Sequence, residues 1–250
     1  LSGTGLRIAQ GIVLAIPLVG SYVSTFLFGG EFPGTDFIPR LYSIHILLIP
    51  GILLGMLTAH LLLVWYQKHT QFPGPGRTNK NVVGFPLFPV YVAKAGGFFF
   101  IVSGVIVLIS ALFTINPIWM YGPYTPDQVT AGSQPDWYIG WLDGAVRVMP
   151  NWEIVLWGHN LSLNILVPAL IVPGIMFTLL GLYPWIEARA TGDRREHHLL
   201  DRPRNAPTRT ALGAMGLSFY LLIWISGGND LIAQAFSWSI NAITWTIRVL

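Results

Sequence analysis

Cysteine is absent from the 250 residues, and charged side chains make up only 10% of them. The first absence excludes disulfides, thiolate metal sites and iron–sulfur ligation by this chain. Any redox centre must be held by histidine, methionine or oxygen ligands. The second excludes an ordinary soluble domain, in which about a quarter of residues are charged. Hydrophobic residues reach 53%, and long stretches hold no charge, which is the pattern of a polytopic membrane protein. The basic excess of +3 gives no reason to expect nucleic acid as a partner. The chain opens on Leu1-Ser2-Gly3-Thr4 without a recognisable cleavable signal, and it reads as a segment of a longer polypeptide.

A helix needs roughly 20 apolar residues to cross the bilayer core. Leu41–Tyr66, Tyr91–Phe113, Leu161–Trp185 and Ala211–Ile225 meet that need, and Leu231–Leu250 is expected as a further span. The expected fold is therefore an all-α transmembrane bundle of about five spans. Ile8–Phe28 is also long and uncharged, but Pro17, Gly20 and two serines leave it open between a span and interfacial helices. Loop charge sets the orientation. Lys68, Arg77, Lys80 and Lys94 stand without an acid between them, and 187–209 holds six arginines against four acids. Asp127, Asp136, Asp143 and Glu153 face Arg147 alone in the loop between the second and third spans. The first two loops are expected in the cytoplasm and the third outside.

Histidine within a span is costly, and it marks a functional site by default. His45 and His60 lie on one expected helix. Their fifteen-residue step puts them about 60° apart in azimuth and about 22 Å apart along the axis. They share a face but are too distant to hold one metal, so each suits a separate centre. Haem fits an apolar site with imidazole ligands, and Gly51 and Gly55 would let a porphyrin approach the backbone. Hydrogen bonding to neighbouring helices is the plainer alternative. His69 is expected on the opposite helical face from His60, at the cytoplasmic headgroups. His159, at the outer start of a span, reads as structural, and His197–His198 as a solvated pair in a charged loop.

The outer loop carries Pro135-Asp136-Trp137-Tyr138, followed by Trp141, Asp143, Arg147 and Pro150. It reads as a short amphipathic helix at the interface. A carboxylate among aromatic residues is suited to accept a proton, whereas a helix-capping role for Asp136 with aromatic anchors around it is the plainer reading.

Pro135-Asp136-Trp137-Tyr138 resembles the Pro-Glu-Trp-Tyr motif of cytochrome b in quinol–cytochrome c oxidoreductases. The likeness is extended. Ala15-Ile16-Pro17 through Gly20, Phe28-Gly29-Gly30, Arg40 before His45, the His45–His60 pair, Phe88-Pro89 with Tyr91 and Lys94, and Arg147 with Pro150 all fall in the family's order. It covers most of residues 5–150, and the aspartate variant with the fifteen-residue step is most similar to the actinobacterial branch.

The resemblance implies roles. His45 would bind the low-potential haem b on the outer side and His60 the high-potential haem b on the cytoplasmic side, with Arg40, Gly51 and Gly55 beside them. Asp136 and Tyr138 would be catalytic at a quinol-oxidation site lined by Gly5, Ile8, Pro135, Trp137 and Asp143. Lys94 and His69 would face an inner quinone site. The substrate would be a quinol, with menaquinol implied by the branch. One electron would pass to a Rieske iron–sulfur subunit and one across the membrane, with protons released outside, as in a Q-cycle. A cytochrome c-type subunit, membrane lipid, a homodimer and an oxidase supercomplex complete the implied assembly in a bacterial plasma membrane. The resemblance makes 8–28 an outer-surface helical hairpin. It divides the chain into an N-terminal part (1–66), a cytoplasmic loop (67–90) and a C-terminal part (91–250). Two bis-histidine haems need four ligands, so the other two are expected from an N-terminal part of the same cytochrome b. Asp136 is one methylene shorter than the family's glutamate, Asp143 stands where an aromatic residue is common, and Ala95 replaces an acid that often follows the lysine. The rivals are a cytochrome b serving another dehydrogenase and a transporter or channel using intramembrane histidines as a proton relay.

Overall fold

The computed structural model describes residues 1–29, 37–123, 125, 128–130 and 132–250. Gly30 and Asp127, both used in the sequence reading, lie outside the described residues. The chain forms two units, which divide between Ile44 and His45. One comprises Leu1–Ile44, Tyr121–Asp193 and Pro207–Leu250, and the other His45–Met120 with Arg194–Ala206.

Helices α1 (Ser2–Leu14) and α2 (Gly20–Phe28) replace a single span over the first uncharged stretch. The chain turns between them, with Leu18 at a φ of 68°. Gly20 lies so close to α1 that a Cβ there would sit 2.7 Å from the Val13 carbonyl oxygen and 2.8 Å from that of Leu14. Gln10 and Ser24 are buried between the two helices, and the amide donates to the hydroxyl at 3.5 Å. Phe28 packs on Phe37 with ring centroids 5.3 Å apart.

Four helices are long and apolar enough to cross a bilayer: α3 (Phe37–Gln67), α4 (Leu87–Leu112), α6 (Leu163–Thr191) and α7 (Pro207–Ser226). Between α4 and α6 lies α5 (Gly140–Val148). Within the most apolar windows of α3 and α4 no residue is buried inside the protein. Such surface belongs in lipid or against other protein.

Three spans carry π-helical turns, at Ile44–Leu48 in α3, Leu87–Tyr91 at the start of α4 and Val167–Ile171 in α6. The first and third are followed two residues later by a proline, Pro50 and Pro173. Proline has no N–H for the carbonyl four residues earlier, and its ring crowds that carbonyl. A wider turn just ahead of the ring is one way to absorb the fault.

Two expectations change here. The stretch expected as a fifth span is two short helices, α8 (Asn229–Phe236) and α9 (Ile240–Val249). Ser237 sits between them at a φ of 55°, and the polar residues Gln234, Ser239, Asn241, Thr244 and Arg248 give each helix a wet side. The fold is also not wholly helical. β1 (Glu153–Leu156) pairs antiparallel with β2 (His159–Ser162), with Glu153 opposite Ser162 and Leu156 opposite His159. Trp157 and Gly158 make the turn with φ of 49° and 76°, the left-handed pair that a two-residue hairpin favours. Tryptophan is not a usual signal for that turn, so the sequence concealed it.

The core of the first unit lies where α5 meets α6 and α7. Trp141, Ala145 and Ile223 are buried there, with Leu142, Val148, Met176 and Tyr220 packed around them. A Cβ on Gly144 would overlap the carbonyl oxygen of Ile223, and one on Gly227 that of Gly140. Glycine at both positions lets α5 lie directly on the backbone of α7.

In the second unit the two charged loops are clipped together. The backbone of Gln71 takes a hydrogen bond from Leu200 N–H at 2.9 Å and donates to the His198 carbonyl at 2.7 Å. The buried Gln71 side chain donates to the carbonyls of Thr78 and Asn81 and accepts from Val83 N–H. Asn79 accepts from Leu199 N–H.

Candidate functional site

The residues expected to form the outer site all belong to the first unit. Pro135–Tyr138 leads into α5, which begins at Gly140, later than the motif itself. Asp136 does not cap that helix with its side chain. Its backbone carbonyl accepts from Ile139 and Gly140 N–H instead. That leaves the carboxylate for Tyr138, whose hydroxyl donates to Asp136 Oδ2 at 2.7 Å. The hydrogen bond and the neighbouring negative charge push the Tyr138 phenol above its ordinary value. Both groups stay exposed, as a site for an incoming molecule requires. Trp137 packs edge-on against Tyr138 at 5.8 Å. The strand of chain is pinned by indole donors: Trp224 to the Trp137 carbonyl at 2.7 Å and Trp141 to the Tyr138 carbonyl at 2.9 Å.

Gly5 and Ile8 lie on α1, with open space beside Gly5 and Ile8 exposed. Thr4, next to Gly5, accepts from Thr130 N–H at 2.9 Å, so α1 is tied to the loop that leads to the motif. Arg40 donates to the Phe26 carbonyl at 2.9 Å, which joins the start of α3 to the end of α2.

Asp143 sits on the first turn of α5, one turn before Arg147. Arg147 Nε lies 2.6 Å from Asp143 Oδ2. That oxygen is buried, and the Arg147 guanidinium is its one polar neighbour among the described residues. Burial pushes the Asp143 carboxyl up, and the Arg147 charge opposes this without cancelling it. Arg147 Nη1 also donates to Asn229 Oδ1 at 2.7 Å and Asp230 Oδ1 at 2.8 Å, and Gln134 donates to Asp230 Oδ2 at 2.6 Å. Partial burial raises Asp230, but the hydrogen bonds from Gln134 and Arg147 outweigh it and hold the group below the usual carboxylate range. Sequence reasoning missed Asp230 and Gln134. The signal was present: Asp230 is the one acid between Arg209 and the last residue, just ahead of an apolar helix.

The second unit holds His45 and His60. His45 and His60 are both exposed on α3, and a Cβ added to Gly51 or Gly55 would meet nothing within 4 Å. An open, apolar helix with two imidazoles and two gaps in side-chain cover fits a flat apolar cofactor at each histidine. His45 lies within the π-helical turn. Such a turn takes up an extra residue, so the azimuth expected from an ideal helix does not carry over. Lys94 is on α4 with its ammonium 4.5 Å from the Phe85 ring centroid. His69 does not share a helix with His60, because α3 ends at Gln67 and Lys68 takes a φ of 63°. The His69 ring contacts the Thr70 carbonyl at 3.0 Å. Among the described residues, no three histidine or acidic side chains gather into a metal cluster.

A family model described as cytochrome b(N-terminal)/b6/petB matches residues 1–123. The whole chain is 63% identical to the cytochrome b subunit of the cytochrome bc1 complex from Streptomyces coelicolor, of which it covers 46%. It is 51% identical to the subunit of the same description from Mycobacterium tuberculosis, covering 45% of it, and 50% identical to that from Corynebacterium diphtheriae, covering 46%. The chain thus spans just under half the length of these curated relatives. A chain with four helices long and apolar enough to cross a membrane, and with this likeness along its full length, belongs to the cytochrome b family.

Proposed function

We propose that the chain is part of the di-haem cytochrome b of a quinol–cytochrome c oxidoreductase in a bacterial plasma membrane, and that its first unit carries the quinol-oxidation site. The observation that supports this most directly is the Tyr138–Asp136 hydrogen bond at an exposed turn. A quinol, QH2, must lose two protons and two electrons to become the quinone. Asp136 is placed to take a hydroxyl proton, and Tyr138, protonated throughout the neutral range, orients that carboxylate. Trp137 and Pro135 supply apolar walls, and Gly5 and Ile8 on α1 a facing one. Asp143 is a second proton acceptor, set deeper by its burial. One electron leaves to a Rieske iron–sulfur subunit, which passes it towards a cytochrome c-type subunit.

His45 and His60 would each hold one haem b, with Gly51 and Gly55 clearing the face and Arg40 near the outer end. Bound there, the haems supply one-electron carriage between the two sides of the membrane. An N-terminal part of the same cytochrome b would contribute the remaining axial ligands. Lys94 and His69 serve an inner quinone site, with the 68–94 and 187–209 loops cytoplasmic and the 135–150 segment outside. Residues 1–66 then belong to the haem-binding part and 91–250 to the C-terminal part. Menaquinol is the proposed substrate. The assembly we propose is a lipid-embedded homodimer joined to an oxidase. The test is the complete protein in detergent. Two b-type absorbance changes on reduction support the reading, and a colourless preparation overturns it.

A further inference from the structure

One guanidinium serves two carboxylates beside the outer site. Arg147 pairs with Asp143 at 2.6 Å and with Asp230 at 2.8 Å. A cation between two anions leaves one negative charge over, so one carboxylate is the easier to protonate. Their surroundings differ. Asp230, at the start of α8, receives directed hydrogen bonds from Gln134 and Arg147. Asp143 Oδ2 is buried, with the Arg147 guanidinium beside it and no further donor among the described residues. Asn229, held by the same Arg147 Nη1, helps fix the guanidinium on the α8 side.

We propose that Asp230 is a positioning residue for quinol oxidation: by engaging Arg147 it leaves Asp143 as the carboxylate that receives a quinol proton. The proposal rests on the quinol-oxidation function argued above. In the step concerned, one quinol O–H proton passes to the Asp143 carboxylate, giving the acid. The electrons leave by the two acceptors already named, and Asp230 gains and loses nothing.

The directions of titration agree, with Asp143 raised chiefly by burial and in smaller part by the Asp230 charge, and Asp230 lowered. The other titratable groups near α5 are few. Asp136 and Tyr138 precede it. Tyr220 of α7 packs on Trp141 at 6.2 Å. Arg248 of α9 donates to the Val148 and Met149 carbonyls and lies over Trp245. Arg209 of α7 is paired with Glu187. The Val167–Ile171 turn brings none.

The test is the pH dependence of kcat/KM for quinol oxidation in the complete complex, which reports groups of the free enzyme. Asp230→Asn gives Arg147 wholly to Asp143, so the acid limb should move to lower pH by about half a unit or more. Asp230→Glu keeps the charge and should return the limb to its original place. Where the asparagine variant does not assemble, Asp230→Ser carries the same expectation. Asp143→Asn tests the parent reading separately: it should lower kcat/KM at neutral pH and abolish the response of the limb to Asp230→Asn. Unchanged kcat/KM in Asp143→Asn overturns the proton role of Asp143. A limb unmoved in Asp230→Asn while Asp143→Asn lowers kcat/KM, with an intact haem spectrum, overturns the positioning role of Asp230.

Discussion

The Tyr138 hydroxyl donates to Asp136 Oδ2 at 2.7 Å, across two residues of one exposed turn. The turn is held by the backbone and by two indoles rather than by the carboxylate. The acid is therefore free to change its protonation without unfolding its own support. Asp136→Asn should slow quinol oxidation by about 100-fold or more, the lower range for a lost general base, with both haem signals retained. Steady-state turnover of the purified complex checks this, and unchanged turnover removes Asp136 from the proton path.

The contact of α5 with α7 leaves no room for a methyl group. Gly144→Ala forces a Cβ into the Ile223 carbonyl, and overpacking of this kind typically costs about 1–3 kcal/mol. Because backbone rather than a flexible side chain must move, the upper end is expected. A fall in the thermal midpoint should accompany loss of quinol oxidation, since α5 carries the segment that follows the motif. A variant of wild-type stability would show that the helices separate easily.

Asp143 and Asp230 should respond oppositely to pH. The raised Asp143 favours the protonated folded state, so its contribution is complete below the ordinary aspartate range and is lost as pH rises through the folded value. The lowered Asp230 contributes above that range and loses its contribution as pH falls through the folded value. Asp230→Asn should therefore destabilise the complex at neutral pH, with the difference shrinking in acid. Asp143→Asn should be neutral or stabilising at neutral pH. Melting midpoints measured from pH 3 to pH 7, a window of about that width, distinguish the two. Parallel curves for both variants would contradict the assignment.

Pro50 follows the π-helical turn that contains His45 by two residues, and its missing N–H is one reason for that turn. Pro50→Ala restores an N–H and lets the helix tighten, which rotates His45 against the rest of α3. The expected result is a shifted absorbance band for one b haem and an unmoved band for the other. Two unmoved bands would mean that other contacts hold the wide turn open.

The Gln71 side chain ties its own loop at three backbone groups and is buried. Gln71→Ala leaves those groups unpaired, at about 1–3 kcal/mol for a buried polar group. Hydrogen exchange should quicken at Val83, while absorbance of the haems stays unchanged. Undiminished protection at Val83 would argue against the clip.

The sequence by itself determined the solvent of this protein and most of its spans. Near absence of charge over some twenty residues can be satisfied by lipid whatever the tertiary arrangement, which is why α3, α4, α6 and α7 were legible. The Pro135–Tyr138 segment was singled out by its resemblance to a family motif, and His45 and His60 for a reason related to the spans. A polar group where polar groups are costly advertises itself. What the sequence could not decide depends on groups far apart in the chain. The expected fifth span became α8 and α9 because Asn229 and Asp230 are claimed by Arg147, 82 and 83 residues earlier. The close approach of backbone at Gly144 and Gly227 exists only where α5 lies on α7. The charge partner of Asp143 on α5 was visible at four residues' distance, but the second claimant on that partner was not. Hydropathy is a property of single segments, whereas the balance of charge around one guanidinium exists only once the helices have met.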